Sequence, residues 1–293
     1  MKFIPILTLF CLMISGIVNA QTTEGTMERH TLTHDDRERD YLVYTPTDYD
    51  DSQSHTLLLA LHPANTSAQD MASMTNFKSL ADANQVLMVF PNSVSGRWDS
   101  SGALAFDDVG FISAVLDTVI ADYAIDESKV FVLGYSSGGL MTMKLRCALS
   151  DRITGIISYA APMTFQMAND CLSADSVSAL VIHGSVDEVF PYAGQVSVNN
   201  GELSGTFSAD QTISFLASLS GCDSQAQIKH ISPENAPNAV FAKRYICDNT
   251  LTELYTVVGL GHYGWAGSLP LIIDDETLTL NDAIFKFMMA ARG

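Results

Sequence analysis

The sequence predicts an α/β fold, a mainly parallel central sheet with helices on both faces. Three observations carry this. Short apolar runs alternate with longer amphipathic stretches along the whole chain, the order that strand–helix–strand crossover units require. Runs such as Leu57-Leu58-Leu59-Ala60-Leu61 lack any polar alternation, as strands buried on both faces do. The chain has 293 residues, of which 47% are hydrophobic and 16% charged. That supplies ample core for one large domain and excludes a disordered, collagenous or coiled-coil chain.

The elements follow in order. Met27–His34 and Asp40–Tyr44 read as strands around the charged turn Asp35-Asp36-Arg37-Glu38. His55–His62 is a buried strand, and a helix is expected over Asp70–Ala83. Val86–Phe90 is a strand stopped by Pro91. Asp107–Tyr123 is a helix with acids in its first turn, where the macrodipole favours them. Asp107 and Asp108 are read as helix caps rather than as chemistry. Lys129–Leu133, Thr154–Tyr159 and Ser178–His183 are strands, with a helix at Gly139–Leu149. The stretch Ala193–Asp210, rich in Gly, Ser and Asn, is expected to be a long loop. Then come a helix at Ala209–Leu219, strands at Val240–Ile246 and Leu251–Val258, and a closing helix at Asn281–Ala291.

Residues 1–20 are set apart. Lys2 precedes an apolar run from Phe3 to Val18 that ends in Val18-Asn19-Ala20. This is the pattern of a secretory signal peptide cut after Ala20, with an uncleaved membrane anchor as the rival reading, for which the run is short. Residues 21–293 are expected to be a single catalytic domain, secreted to the medium or the periplasm, with no membrane contact after cleavage. The net charge of −18 argues against nucleic acid and anionic membranes as partners. Export leaves four cysteines, Cys147, Cys171, Cys222 and Cys247, for an oxidising compartment. Four cysteines allow three pairings. No pair has the close spacing of a zinc site, so disulfides are expected and no metal.

Gly134-Tyr135-Ser136-Ser137-Gly138 follows the apolar run Val130–Leu133 and precedes a helix-forming run. This is G-x-S-x-G between a strand and a helix, a turn so tight that flanking side chains would clash. Ser136 is thereby the candidate nucleophile. A serine hydroxyl needs a base, and the base an orienting acid. In this arrangement the chain order is Ser, acid, His. His183, His230 and His262 lie beyond Ser136. His262, within Gly259-Leu260-Gly261-His262-Tyr263-Gly264 at a strand end, is the candidate base. Asp187, after the strand Leu180–His183, is the candidate acid, ahead of Glu188 and Asp210. The oxyanion needs two N–H donors. Ser137 supplies one. The second belongs to the loop Leu61-His62-Pro63-Ala64-Asn65, where Pro63 has no N–H. Ala64 is the candidate, with Asn65 behind it.

The chain resembles the secreted esterase family that holds polyhydroxybutyrate depolymerases and feruloyl or acetylxylan esterases. The resemblance rests on Arg97-Trp98, Asp107–Ile112, Lys129–Gly139, Ile182–Asp187 with Pro191-Tyr192, Gly221-Cys222, Tyr245–Cys247 and Gly259–His262. It covers nearly all of residues 21–293. It implies an α/β-hydrolase fold, with the family's catalytic Ser, Asp and His on Ser136, Asp187 and His262. It also implies the disulfides Cys147–Cys171 and Cys222–Cys247. Three features depart from the family. Pro63 stands where a glycine is usual. Ala266 replaces a proline after Trp265, which predicts a less rigid loop. No linker or polymer-binding domain follows, so soluble or oligomeric esters are expected over solid polyester.

The expected reaction is hydrolysis of plant cell-wall esters or polyester fragments through an acyl-serine, with no cofactor. Trp98, Tyr192, Tyr263 and Trp265 are candidates to line an aromatic substrate pocket. The rival readings are a lipase or serine peptidase of the same fold and a non-catalytic binding module.

Overall fold

The computed structural model describes residues 25–199 and 202–291, and the expected signal peptide lies outside the described residues. In chain order the elements begin β1 (Thr26–His34), β2 (Arg37–Thr45), β3 (His55–Leu61), α1 (Ala68–Thr75), α2 (Lys78–Asn84) and β4 (Val86–Pro91). There follow α3 (Asp108–Asp122), β5 (Ile125–Tyr135), α4 (Ser137–Ala148), β6 (Gly155–Tyr159), α5 (Phe165–Asp170) and β7 (Ser178–Gly184). Next come β8 (Gln195–Asn199), β9 (Glu202–Thr206), α6 (Ala209–Leu219), β10 (Ala226–His230), β11 (Val240–Tyr245) and β12 (Thr252–Val257). The hairpin β13 (Pro270–Ile273) and β14 (Glu276–Thr279) leads into α7 (Leu280–Ala290).

The sheet has ten strands in the order β1-β2-β4-β3-β5-β6-β7-β12-β11-β10. From β4 to β12 its pairs are parallel, and each edge is finished by two antiparallel strands. The predicted α/β class is therefore what the chain adopts. Strand periodicity divides the core in two. Leu58 and Ala60 of β3 face a cluster with Met71, Phe77, Ile284 and Phe285 from α1, α7 and the turn before α2. Leu57, Leu59 and Leu61 face the other, with Phe111, Val115, Leu145 and Ile213 from α3, α4 and α6. These leucines are fully buried, so each contributes roughly 1.5–3 kcal/mol of transfer free energy. Leu59→Ala would cost about 2–5 kcal/mol.

Several elements differ from expectation. The helix expected over Asp70–Ala83 is two helices, because Asn76 adopts φ 51° and ends α1 as a left-handed cap. Ala193–Asp210 is not a loop throughout. It folds into the hairpin β8–β9, with Val196 opposite Gly205 and Val198 opposite Leu203. Its composition resembles a loop, but two apolar alternations are enough for a short ribbon. Strand β5 begins earlier than expected, where Ile125 pairs with His55. Tight turns set two hairpins. Asp35 and Asp36 (φ 50° and 56°) close β1–β2, and Asp274 and Asp275 (φ 52° and 65°) close β13–β14, the paired positive φ of a primed turn.

Disulfides join Cys147 to Cys171 and Cys222 to Cys247, the pairing the family resemblance implies. The first ties α4 to the end of α5, and the second ties the end of α6 to the end of β11. Among the described residues no helix is long and apolar enough to cross a membrane.

Candidate active site

Ser136 sits between β5 and α4 with φ 54° and ψ −115°, a conformation that L side chains rarely adopt. Two glycines make the turn possible. A Cβ on Gly134 would lie 2.1 Å from the Gly138 carbonyl oxygen, and one on Gly138 would lie 2.2 Å from that of Leu61. The backbone of β5, β3 and α4 is thus in contact there, and the serine is pushed out of the sheet. Its own N–H is anchored to the Tyr159 carbonyl at 2.9 Å.

Ser136 Oγ lies 2.8 Å from His262 Nε2. His262 Nδ1 lies 2.9 Å and 3.1 Å from the two Asp187 oxygens. With the proton on Nδ1 facing the carboxylate, Nε2 presents its lone pair to the hydroxyl. His262 is 3% exposed. Its backbone is held twice, because its N–H donates to Glu188 Oε2 at 3.1 Å and its carbonyl accepts from the Tyr135 hydroxyl at 2.6 Å. Asp187 Oδ1 also accepts the N–H groups of Val189 (2.9 Å) and Phe190 (2.7 Å). Burial pushes the Asp187 carboxyl up. The hydrogen bond and charge of His262 and these two N–H groups outweigh it and hold the group below the usual carboxylate range.

The other candidates fall elsewhere. His183 is buried behind the acid loop, its Nε2 2.8 Å from the Phe190 carbonyl oxygen. Burial lowers its pKa against the hydrogen bond to Phe190 and the charge of Asp187. His230 packs on Phe241 and bonds Ser232 on the outer strand β10. Asp210 is paired with Lys243 at 2.8 Å. Glu188 holds the His262 main chain instead of its ring.

The N-terminus of α4 presents the Ser137 N–H, which has no intrahelical acceptor. In the loop after β3, the Asn65 N–H is taken by the Gly96 carbonyl at 2.7 Å. The Ala64 N–H has no partner among the described residues, so Ala64 rather than Asn65 is available as second donor. Pro63 has a different part. Its carbonyl lies 2.8 Å from His62 Nδ1 and accepts from Thr66 Oγ1 at 2.8 Å. His62 is buried, and burial lowers its pKa.

Ser136, Ser137, Ala64 and His262 lie on the wall of one cavity of about 1140 Å³. Trp98, Tyr263 and Trp265 line it too. Trp98 is 3% exposed, and its indole N–H donates to the His62 carbonyl at 3.0 Å. Trp265 packs on Tyr159 and Phe77 and donates to Asn281. Tyr263 is 76% exposed. Tyr192 does not line the cavity. Its ring meets His183 edge-on, and its hydroxyl bonds Thr256 and Asp210. Phe190 lines the wall instead, its ring centroid 5.6 Å from that of His262. The apolar pair Val189-Phe190 after the acid was the available signal, and both residues line the cavity. The Ala266 N–H donates to the Tyr159 hydroxyl at 3.1 Å, a bond that proline could not make.

Comparison with known proteins agrees with this fold. A family model described as Phospholipase/Carboxylesterase matches residues 105–211. A probable feruloyl esterase C of Aspergillus terreus is 27% identical over 209 residues, covering 68% of this chain and 73% of the relative. A putative esterase, NocK, of Nocardia uniformis is 26% identical over 259 residues, covering 81% and 75%. The structure of an acetyl xylan esterase from Aspergillus awamori superimposes with a TM-score of 0.64 at 17% identity, over 90% of this chain and 99% of that one. A parallel sheet that ends in a strained serine turn, on a chain with these relatives, is an α/β-hydrolase fold similar in sequence to the feruloyl esterases.

Proposed function

We propose that this protein is a secreted serine esterase that hydrolyses carboxylic esters through an acyl-enzyme. Its substrates would be feruloyl-type plant-wall esters or polyhydroxyalkanoate oligomers. One observation carries the reading: the hydrogen-bonded series Ser136–His262–Asp187 opens on a cavity large enough for an aryl or oligomeric ester. The similarity to a probable feruloyl esterase supports it. The two disulfides support an oxidising compartment.

In this mechanism His262 Nε2 takes the proton of Ser136 as Oγ attacks the ester carbonyl carbon. Asp187 holds the imidazole in the required tautomer and stabilises the imidazolium. The oxyanion is received by the N–H groups of Ser137 and Ala64, fixed before the charge develops. His262 returns the proton to the departing alcohol. Water then attacks the acyl-serine with His262 again as base, and the acid leaves.

The test is hydrolysis of methyl ferulate, p-nitrophenyl acetate, p-nitrophenyl butyrate and a soluble 3-hydroxybutyrate oligomer, each beside Ser136→Ala. Turnover by the wild type alone supports the reading, and the preferred ester names the substrate class. A folded protein that turns over none of them, and whose Ser136 is not labelled by an organophosphate, would be a binding module instead.

A further inference from the structure

The cavity carries one feature that ester hydrolysis does not use. Arg97 is on its wall, and its guanidinium has no partner among the described residues. Among the described residues nearly every other lysine and arginine is engaged. Arg37 and Lys78 stand over aromatic rings, the buried Arg146 reaches the Cys171 sulfur, and all the others except Lys229 on the outer strand β10 make ion pairs. In a chain with 33 acidic and 15 basic residues, cations find acids readily. One left free in the cavity is therefore available to a ligand.

The Arg97 main chain is held on both sides. The Gly96 carbonyl accepts the Asn65 N–H at 2.7 Å. The Trp98 N–H donates to Ser137 Oγ at 3.2 Å, and its indole donates to the His62 carbonyl. Arg97 is thus tethered between the loop after β3 and the N-terminus of α4, which supply the proposed oxyanion donors, with only its side chain unpartnered among the described residues.

We propose that Arg97 is a specificity residue that binds a carboxylate carried by one arm of the ester. The inference rests on the esterase reading and names a substrate class within it: anionic esters whose acid or alcohol portion ends in a carboxylate. A guanidinium matches a carboxylate in a two-bonded fork. The net charge of −18 otherwise repels anions, so a free cation in the cavity offsets that repulsion where the ester binds.

The test uses two matched pairs. Monoethyl adipate and ethyl hexanoate differ by a carboxylate on the acyl arm, and 6-acetoxyhexanoate and hexyl acetate by one on the alcohol arm. Binding is measured by titration in the Ser136→Ala protein, alone and with Arg97→Gln or Arg97→Lys. Arg97→Gln should weaken one anionic ester about tenfold and its neutral partner less than about twofold, with Arg97→Lys recovering part of the loss. The pair that responds tells which arm carries the carboxylate. Equal effects within each pair, or none, would overturn the proposal. The esterase reading is judged separately, by whether protein with Ser136 intact hydrolyses the neutral esters.

Discussion

His183 Nε2 stands 3.5 Å from Asp187 Oδ2, the same oxygen that His262 Nδ1 faces at 2.9 Å. Both His183 and Asp187 are buried. The closer acceptor for His183 is the Phe190 carbonyl, so the buried imidazole ties down the loop whose N–H groups hold Asp187. His183 is in this sense a positioning residue. His183→Leu should lower kcat by up to about 100-fold through misplacement of the acid, with little change in KM. His183→Gln, which keeps a donor, should recover part of the rate. An unchanged kcat in a folded Leu variant would remove His183 from this role.

Asp187→Asn should keep the fold and lose about 10⁴-fold in kcat, because an amide can leave the His262 proton on the wrong nitrogen. Steady-state rates on p-nitrophenyl acetate, corrected with Ser136→Ala, measure it. A loss of less than about tenfold would mean that another group orients His262.

Gly138→Ala places a methyl group 2.2 Å from the Leu61 carbonyl oxygen. Backbone, not a flexible side chain, is in the way. Destabilisation of about 1–3 kcal/mol or more is expected, together with loss of activity, since Ser137 and the α4 terminus must move. Urea unfolding beside an activity assay would show both.

His62 and His183 are each held neutral by burial, with pKa lowered from 6.5. The unfolded chain therefore binds more protons than the folded one between the lowered values and 6.5. Their contribution to stability is complete above pH 6.5 and is lost as pH falls through the lowered values. Denaturant midpoints should drop between pH 7.5 and pH 5, with a shallower slope in His62→Gln. Identical slopes in the two proteins would show that His62 is not the group responsible. The lowered pKa of Asp187 has the same sign, but its loss begins only below about pH 3.8.

Each disulfide closes a loop of similar length, with separations of 24 and 25 residues. Replacing Cys222 and Cys247 together by serine should cost roughly 3.5 kcal/mol by chain entropy. Because the pair lies at the ends of α6 and β11, away from the cavity wall, kcat at 25 °C should be unaffected. A matching loss of activity in a folded variant would contradict that separation.

The fold was legible where local chemistry was strong. Uninterrupted apolar runs marked β3, β4, β5 and β7, and acids marked the start of α3. The hairpin β8–β9 and the outer strand β10 were not legible, because short, mostly polar ribbons acquire their pairing from neighbours rather than from periodicity. The break at Asn76 was missed for a related reason: a single left-handed residue changes the chain direction without changing the apolar pattern.

The α/β class, the serine turn and the candidate serine, histidine and acid can be read from local sequence, because each sits at a strand end with glycines or a turn around it. Which side chains meet depends on how distant segments pack. The fold places Phe190 rather than Tyr192 on the wall, turns Glu188 to the His262 backbone, takes the Asn65 N–H for Gly96 and leaves Arg97 without a partner among the described residues. The physical reason is range. Strand and turn formation is local, within a few residues, whereas hydrogen-bond partners here lie up to 206 positions apart in the chain, as for Asn281 and Thr75.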